Sequence, residues 1–332
     1  MTADRIAIDR RTFTLGLASG VASSLAGTGV AQAQGFPSQT IRIINPNAPG
    51  GVNDVLARLY ANEFQTIFGK PSIVENRPGA GGDIGFEAVS RADPDGHTLL
   101  MGSISLTVKP AITANLKLDP RKDLKSIARV ASQPMVIVLR PDFPADTLDG
   151  FIKLARENPN KFSYGTPGHG TPQHFGTEML CSEAGIKMKH VPYRGAAPAM
   201  MDLTSSHIDF YYGTETSAGG LIKEGKMKAV AGTGSKRLSL FPQVKTLAEL
   251  GYPKSVIEIW YGVFGPPGLP DAITDQIISA LRQIEASAEY RTKLKELAIV
   301  SSLSTPAELH RQLETEIAQW RSVGAAAGIK PE

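Results

Sequence analysis

Cysteine is almost absent: the 332 residues include a single one, Cys181. One thiol can build neither an internal disulfide framework nor a cysteine-based metal site, and none stands behind the amino-terminal segment to accept a lipid. Cys181 lies in the apolar stretch Met179-Leu180-Cys181, which marks it as a buried, inert thiol and not a nucleophile. A strong charge of one sign is missing too. The net charge is +3, and no basic block is longer than Lys236-Arg237, so nucleic-acid binding lacks its electrostatic footprint. After the first thirty-odd residues no run is long and apolar enough to span a bilayer, and there is no fixed-period repeat or low-complexity tract. Catalytic anchors are missing as well. Without a G-x-S-x-G elbow, a Walker loop or an H-E-x-x-H helix, hydrolase, NTPase and zinc-protease readings have nothing to stand on. Gly79 to Gly85 approaches a dinucleotide fingerprint, but its last glycine comes one residue late. No catalytic residue and no cofactor are expected.

What is present begins with an export signal. Arg10-Arg11 and Phe13 open an uncharged run from Thr12 to Gly29, and Ala31-Gln32-Ala33 follows as a small-residue cleavage site. The paired arginines are twin-arginine-like, with the Sec route left open. The run is too weakly apolar to remain as an anchor of about 20 residues. Residues 1–33 are therefore expected to be removed, leaving a mature chain that starts near Gln34 and is free in the periplasm.

The mature length suggests two lobes. Strand-like Ile41 to Ile44 leads through a Pro/Gly loop into helically spaced Val55, Leu56, Leu59, Phe64, Ile67 and Phe68. Further strands are expected at Ser72 to Glu75, Thr98 to Met101, Met135 to Leu139 and Phe162 to Tyr164, with helices starting at Phe86 and spanning Leu148 to Arg156. Strand and helix in alternation imply an α/β fold with mainly parallel sheets covered on both faces.

Two of the connecting loops share a mechanism. Pro49-Gly50-Gly51 ends a strand and opens a helix with Asp54 in its first turn, and Gly168 to Pro172 does the same with Thr171 as N-cap and Pro172 at the first helical position. Each offers backbone N–H groups that glycine lets a ligand approach, at a helix end carrying about half a positive charge. Both suit a carboxylate; the plain alternative for each is tight-turn geometry alone.

The residues Asn47-Ala48-Pro49-Gly50-Gly51 with Asp54 and Arg58, then Glu75-Asn76-Arg77-Pro78-Gly79-Ala80-Gly81-Gly82, carry a wider likeness. With Pro94 to Leu100, Gly165 to His174, His190 to Gly195 and Trp260 to Pro270, the chain resembles the substrate-binding proteins of the tripartite tricarboxylate transporter family, or Bug receptors. The resemblance implies a two-lobed type II periplasmic-binding-protein fold. Lobe 1 would be 36–137 and 261–332, lobe 2 would be 138–260, and the two crossover strands would fall near Pro134 to Val136 and Ile259 to Gly262. It further implies a solute-binding receptor that captures a small organic carboxylate and delivers it to membrane permease subunits, acting as a monomer. The ligand wall would comprise Asn47, Ala48, Pro49, Gly50, Gly51, Asp54 and Ser103 on one side. Thr166, Gly168, Gly170, Thr171, His174, Tyr193, Arg194, Gly195, Ala196, Gly213 and Thr214 would form the other. A periplasmic sensing subunit and a cleft enzyme are the competing function classes.

Several positions depart from the family pattern or have plainer readings. Asn45 and Asn47 stand where apolar and aromatic residues are usual, which is expected to make that wall more polar and roomier. His169 replaces a small or apolar residue. His169 and His174 straddle a helix start with His190 as a distant third imidazole, a poor ligand set, so no metal is expected. Arg58 and Arg77 are expected in structural or surface ion pairs, Arg194 either at a second carboxylate or in a lobe-bracing pair, and Trp260 and Tyr261 packed in the hinge.

Overall fold

In β1 (Ile41–Asn45), Ile41 and Ile43 face one way and Ile44 the other, and all three are buried, as suits a strand covered on both faces. The structure is a computed structural model that describes residues 35–114 and 116–329, so the export signal and its cleavage point lie outside the described residues. After β1, α1 (Val52–Phe68) buries Leu56, Leu59, Tyr60 and Phe64 along one stripe and stops where Gly69 takes a left-handed φ of 65°. β2 (Ser72–Asn76), α2 (Asp83–Ser90), β3 (Thr98–Ser103) and α3 (Ser105–Ile112) follow. Both β2 and β3 lie parallel to β1.

The fifteen-residue β4 (Lys125–Leu139) joins this half to the next. Beyond it come α4 (Leu148–Glu157), β5 (Ser163–Thr166), α5 (Pro172–Ala184), β6 (Lys189–Pro192), α6 (Ala196–Thr204), β7 (Phe210–Thr214), α7 (Glu215–Lys223) and β8 (Lys228–Gly232). The chain returns through β9 (Glu258–Gly265) to α8 (Asp271–Ala286), α9 (Ala288–Glu296), β10 (Val300–Ser301) and α10 (Pro306–Ala327). The strand order is β2-β1-β3-β9-β4-β7-β5-β6, with β8 and β10 also paired to β4.

The sheet is mixed. Its flanks are parallel, as the strand-helix alternation implies, but β9 runs antiparallel to both β3 and β4, and β7 antiparallel to β4. The reason is topological: β4 leaves the first half and β9 comes back, so they must point in opposite directions. β4 pairs with β9 as far as Pro134, opposite Glu258, and from Met135 onward it pairs with β7. Proline has no N–H to contribute to a ladder, so the exchange falls where it costs least. Thr233, fully buried, stitches the two crossings together. Its hydroxyl accepts from Met135 N at 3.0 Å and donates to Ile257 O at 2.7 Å.

The core follows the two faces of the sheet. One face carries two separate clusters, around Ile43, Tyr60, Leu99 and Leu281 in the first half and around Val136, Val138, Leu203 and Tyr211 in the second. The other face carries one cluster running from Leu100 and Phe264 through Trp260 to Ile137, Phe151 and Phe210. α10 covers that continuous face. Its Trp320 ring stands 5.6 Å from Phe175 of α5, and the same indole N–H donates to Thr107 of α3 at 3.1 Å. Among the described residues no helix is long and apolar enough to cross a membrane.

Candidate ligand-binding site

The strand registers aim both halves at one place. Ser103, ending β3, is level with Tyr261 of β9, which is level with Ala131 of β4; Thr214, ending β7, is level with Met135 of β4. Ala131 and Met135 bracket the point where β4 changes partners. Since β1 is parallel to β3, and β5 and β6 run with β7, the loops after all these strands open on the same seam. Open α/β sheets bind ligands at the carboxyl ends of strands where the topology switches. The loops also touch: Gly170, after β5, is buried against Ile112 of α3.

On the first side, residues 47–51 are exposed and held from below by amides and one acid. Asn45 is fully buried; its Oδ1 accepts from Asn47 N at 3.2 Å and from Asn53 Nδ2 at 2.8 Å. The side chain turns inward and braces the loop, so Asn45 does not make the wall more polar as expected; only Asn47 is on the surface. Asp54 is buried and surrounded by donors: Gly50 N at 3.0 Å, Asn76 Nδ2 at 2.8 Å, and Arg58 through Nε and Nη2, both at 3.1 Å. Burial alone raises its pKa, but the Arg58 guanidinium, the Gly50 amide and Asn76 outweigh this and hold it at about 2. Asp54 is thus an ionised loop clamp whose charge Arg58 balances. Gly50 N–H is already used by it, which leaves the amides from Gly51 into the first turn of α1 for an anion. Gly50 needs glycine, with φ at +87°, whereas Gly51 has φ −78° and nothing within 4 Å of an added Cβ. No fold requirement explains Gly51.

On the second side, Thr171 caps α5 by accepting from His174 N at 3.4 Å, with Pro172 in the first turn, as the sequence indicates. The hydroxyls of Thr166 and Thr171 both donate to Gly168 O, at 2.9 and 3.0 Å. His190 Nε2 lies 2.7 Å from Thr166 Oγ1 and therefore carries the hydrogen and donates. Gly170 N–H donates to His174 Nδ1 at 3.1 Å. Gly170 is conformational, with φ +65° and Ile112 Cδ1 only 2.7 Å from an added Cβ. His190 is not distant: its ring stacks on His174 with centroids 3.9 Å apart, and His169 lies 4.8 Å from His174. Parallel pairing of β5 with β6 brings Tyr164 beside His190, a proximity that chain spacing hides.

The remaining residues differ in what they leave free. Tyr193 donates its hydroxyl to Asp202 at 2.7 Å, and burial followed by that acid pushes its pKa up to about 12. Gly195, with φ +117°, precedes Ala196 at the start of α6. Thr214 caps α7 in a reciprocal pair with Ser217, so its hydroxyl is committed, and Gly213 sits in the β7 ladder opposite Val136. Ser103 is buried, its hydroxyl 3.0 Å from that of Ser105. Arg194 is exposed and has no ion-pair partner among the described residues. Arg77 pairs with Glu75 at 2.8 Å, and Trp260 is buried with its N–H donating to Glu316 at 2.9 Å, the structural roles expected of both. Burial raises the Cys181 thiol far above its ordinary range.

A concavity of about 580 Å³ lies elsewhere, among Arg121, Lys122, Lys125, Pro267 and Arg311. Lys125 is about 30 Å along β4 from Met135. Arg121 and Lys125 are already paired with Asp119 and Asp271, and only β9 of the strands meeting at the seam runs on toward it, whereas β3 and β7 end at the seam, so volume is outweighed by geometry there.

Residues 56–328 match the family described as the tripartite tricarboxylate transporter family receptor. The chain belongs to that family. The solved periplasmic binding protein BugD is 30% identical with a TM-score of 0.72, over 90% of this chain and 100% of its own. Rpa4515 of R. palustris, solved with adipate, is 26% identical with a TM-score of 0.75, over 90% and 100%. MatC of Rhodopseudomonas palustris, solved with malate, is 28% identical with a TM-score of 0.71, over 87% and 99%. This tripartite tricarboxylate transporter receptor thus has the family's periplasmic-binding fold, and its family is one of solute binding, not catalysis. Sequence reasoning did not find the bracing roles of Asn53 and Asn76, the Thr233 stitch or the gathering of three imidazoles. The first two are side-chain contacts between segments far apart in the chain, for which single residues give no signal.

Proposed function

We propose that this receptor binds a small dicarboxylate across the seam, in the periplasm after cleavage near Ala33, and hands it as a monomer to a tripartite tricarboxylate-type permease. The convergence of strand ends from both halves on the β4 partner exchange carries the reading. One carboxylate would take the amides at Gly51 and the start of α1, where the Asp54 charge is already balanced by Arg58. The second would meet the Arg194 guanidinium, which has no ion-pair partner among the described residues and can bind a carboxylate with two parallel N–H bonds. Relatives solved with adipate and with malate support two acid groups on a short chain. With lobe 1 as 36–137 and 261–332 and lobe 2 as 138–260, each lobe holds part of the anion, and the ligand stabilises closure by touching both.

A thermal-shift screen of mono- and dicarboxylates tests this. A ligand at 100 times its Kd stabilises the fold by about 2.7 kcal/mol. Adipate, malate or a related dicarboxylate is expected to raise Tm and lower the radius of gyration in small-angle scattering. A folded protein that no dicarboxylate shifts at millimolar concentration would refute the reading.

A further inference from the structure

We propose that His169, His174 and His190 form a binding site for a divalent transition-metal ion on the second-half side of the seam. The ligand nitrogens of the three rings lie within 4.8 Å of one another and come from three elements: the loop after β5, the first turn of α5 and strand β6. The donor set is all imidazole. That favours zinc, cobalt or nickel over calcium or magnesium, which take oxygen ligands.

One of the rings, His190, is oriented from behind, as metal-bound imidazoles usually are. His190 keeps Nε2–H on the Thr166 hydroxyl, which leaves Nδ1 as its lone-pair nitrogen. His174 is held through Nδ1 by the Gly170 amide. His169 is exposed and leaves coordination positions open to water or to a carboxylate oxygen.

The resting arrangement is not yet a coordination sphere. Tetrahedral zinc holds its nitrogens about 3.3 Å apart, so the rings must close in. His174 and His190 are stacked 18° from parallel, so their in-plane lone pairs lie in nearly parallel planes and do not converge on one ion. Coordination through His174 therefore requires that ring to turn, and whichever nitrogen it uses, the bond from Gly170 N–H is lost. His169 and His190 bind first in this scheme and His174 completes the set. If His174 coordinates through Nε2, its ring hydrogen moves to Nδ1.

The site stands whether or not the carboxylate reading holds, so it is tested with Zn²⁺ and Co²⁺ alone on untagged protein, and carboxylate binding is measured separately in the presence of a chelator. Calorimetry is expected to show one equivalent of Zn²⁺ bound, no binding of Mg²⁺, and nitrogen-ligated Co²⁺ absorption. His169→Ala and His190→Ala should each weaken Zn²⁺ by about tenfold or more, while His207→Ala leaves it unchanged. The Gly170 amide resonance should move on metal binding. His169 is on the surface, so its variant reports on the site even if His190→Ala fails to fold. Absence of stoichiometric binding, or binding that survives His169→Ala undiminished, overturns the proposal, and an unmoved Gly170 amide overturns the part given to His174.

Discussion

Gly51→Val separates a binding glycine from a folding one. Gly51 has φ −78° and ψ 167°, an extended conformation that valine adopts readily, and an added Cβ meets nothing within 4 Å. The fold should therefore change by no more than about 0.5 kcal/mol, as for an ordinary surface substitution. The valine methyls would stand over the amides of the first turn of α1, where the ligand carboxylate is proposed to sit. Losing a hydrogen bond to a charged group costs about 1.5–3 kcal/mol. At 1.4 kcal/mol per factor of ten, that is about 10- to 100-fold in Kd. Calorimetry with the dicarboxylate found by screening, alongside Tm, reads both quantities. Gly50→Ala is the contrast: its φ of +87° puts strain of about 1–2 kcal/mol on the fold itself. Gly170 cannot serve as the matching probe, because Ile112 and a left-handed φ would unsettle the loop before any ligand is bound. A Gly51→Val variant with unchanged Tm and full affinity would show that these amides do not seat the carboxylate.

Arg194→Gln should weaken a dicarboxylate by about tenfold or more and a monocarboxylate little, with unchanged Tm, since the side chain is exposed and unpaired among the described residues; equal losses for both ligands would remove Arg194 from the second-acid role. Thr233→Val keeps the shape but strips partners from Met135 N–H and Ile257 C=O, so urea unfolding should show a loss of about 1–3 kcal/mol. Asp54 has a folded pKa below its ordinary 3.8, so its contribution to stability is complete at neutral pH and is lost as pH falls through 3.8 toward 2. Carboxyl NMR titration should place Asp54 near 2, and Arg58→Gln should raise that value; a midpoint near 4 in the intact protein would refute the clamp.

Local signals in the sequence were enough for the elements and the loops. Glycine and proline mark where strands end, the spacing of Leu56, Leu59 and Phe64 makes α1 a helix with one buried face, and Thr171-Pro172 fixes the start of α5. These rest on backbone conformation and periodicity, which neighbouring residues determine between them. Tertiary structure decided what no local signal carries. Asn45 reads as a polar wall residue, yet it is buried because Asn53 and the loop backbone satisfy it. The mixed sheet arises because β9 must return against β4, and the β4 partner exchange turns separate strand ends toward one seam. His190, sixteen residues beyond His174, meets it face to face because β5 and β6 pair in register across the helix between them. Contacts of that kind depend on how the chain is folded back on itself, and composition and spacing do not encode them one residue at a time.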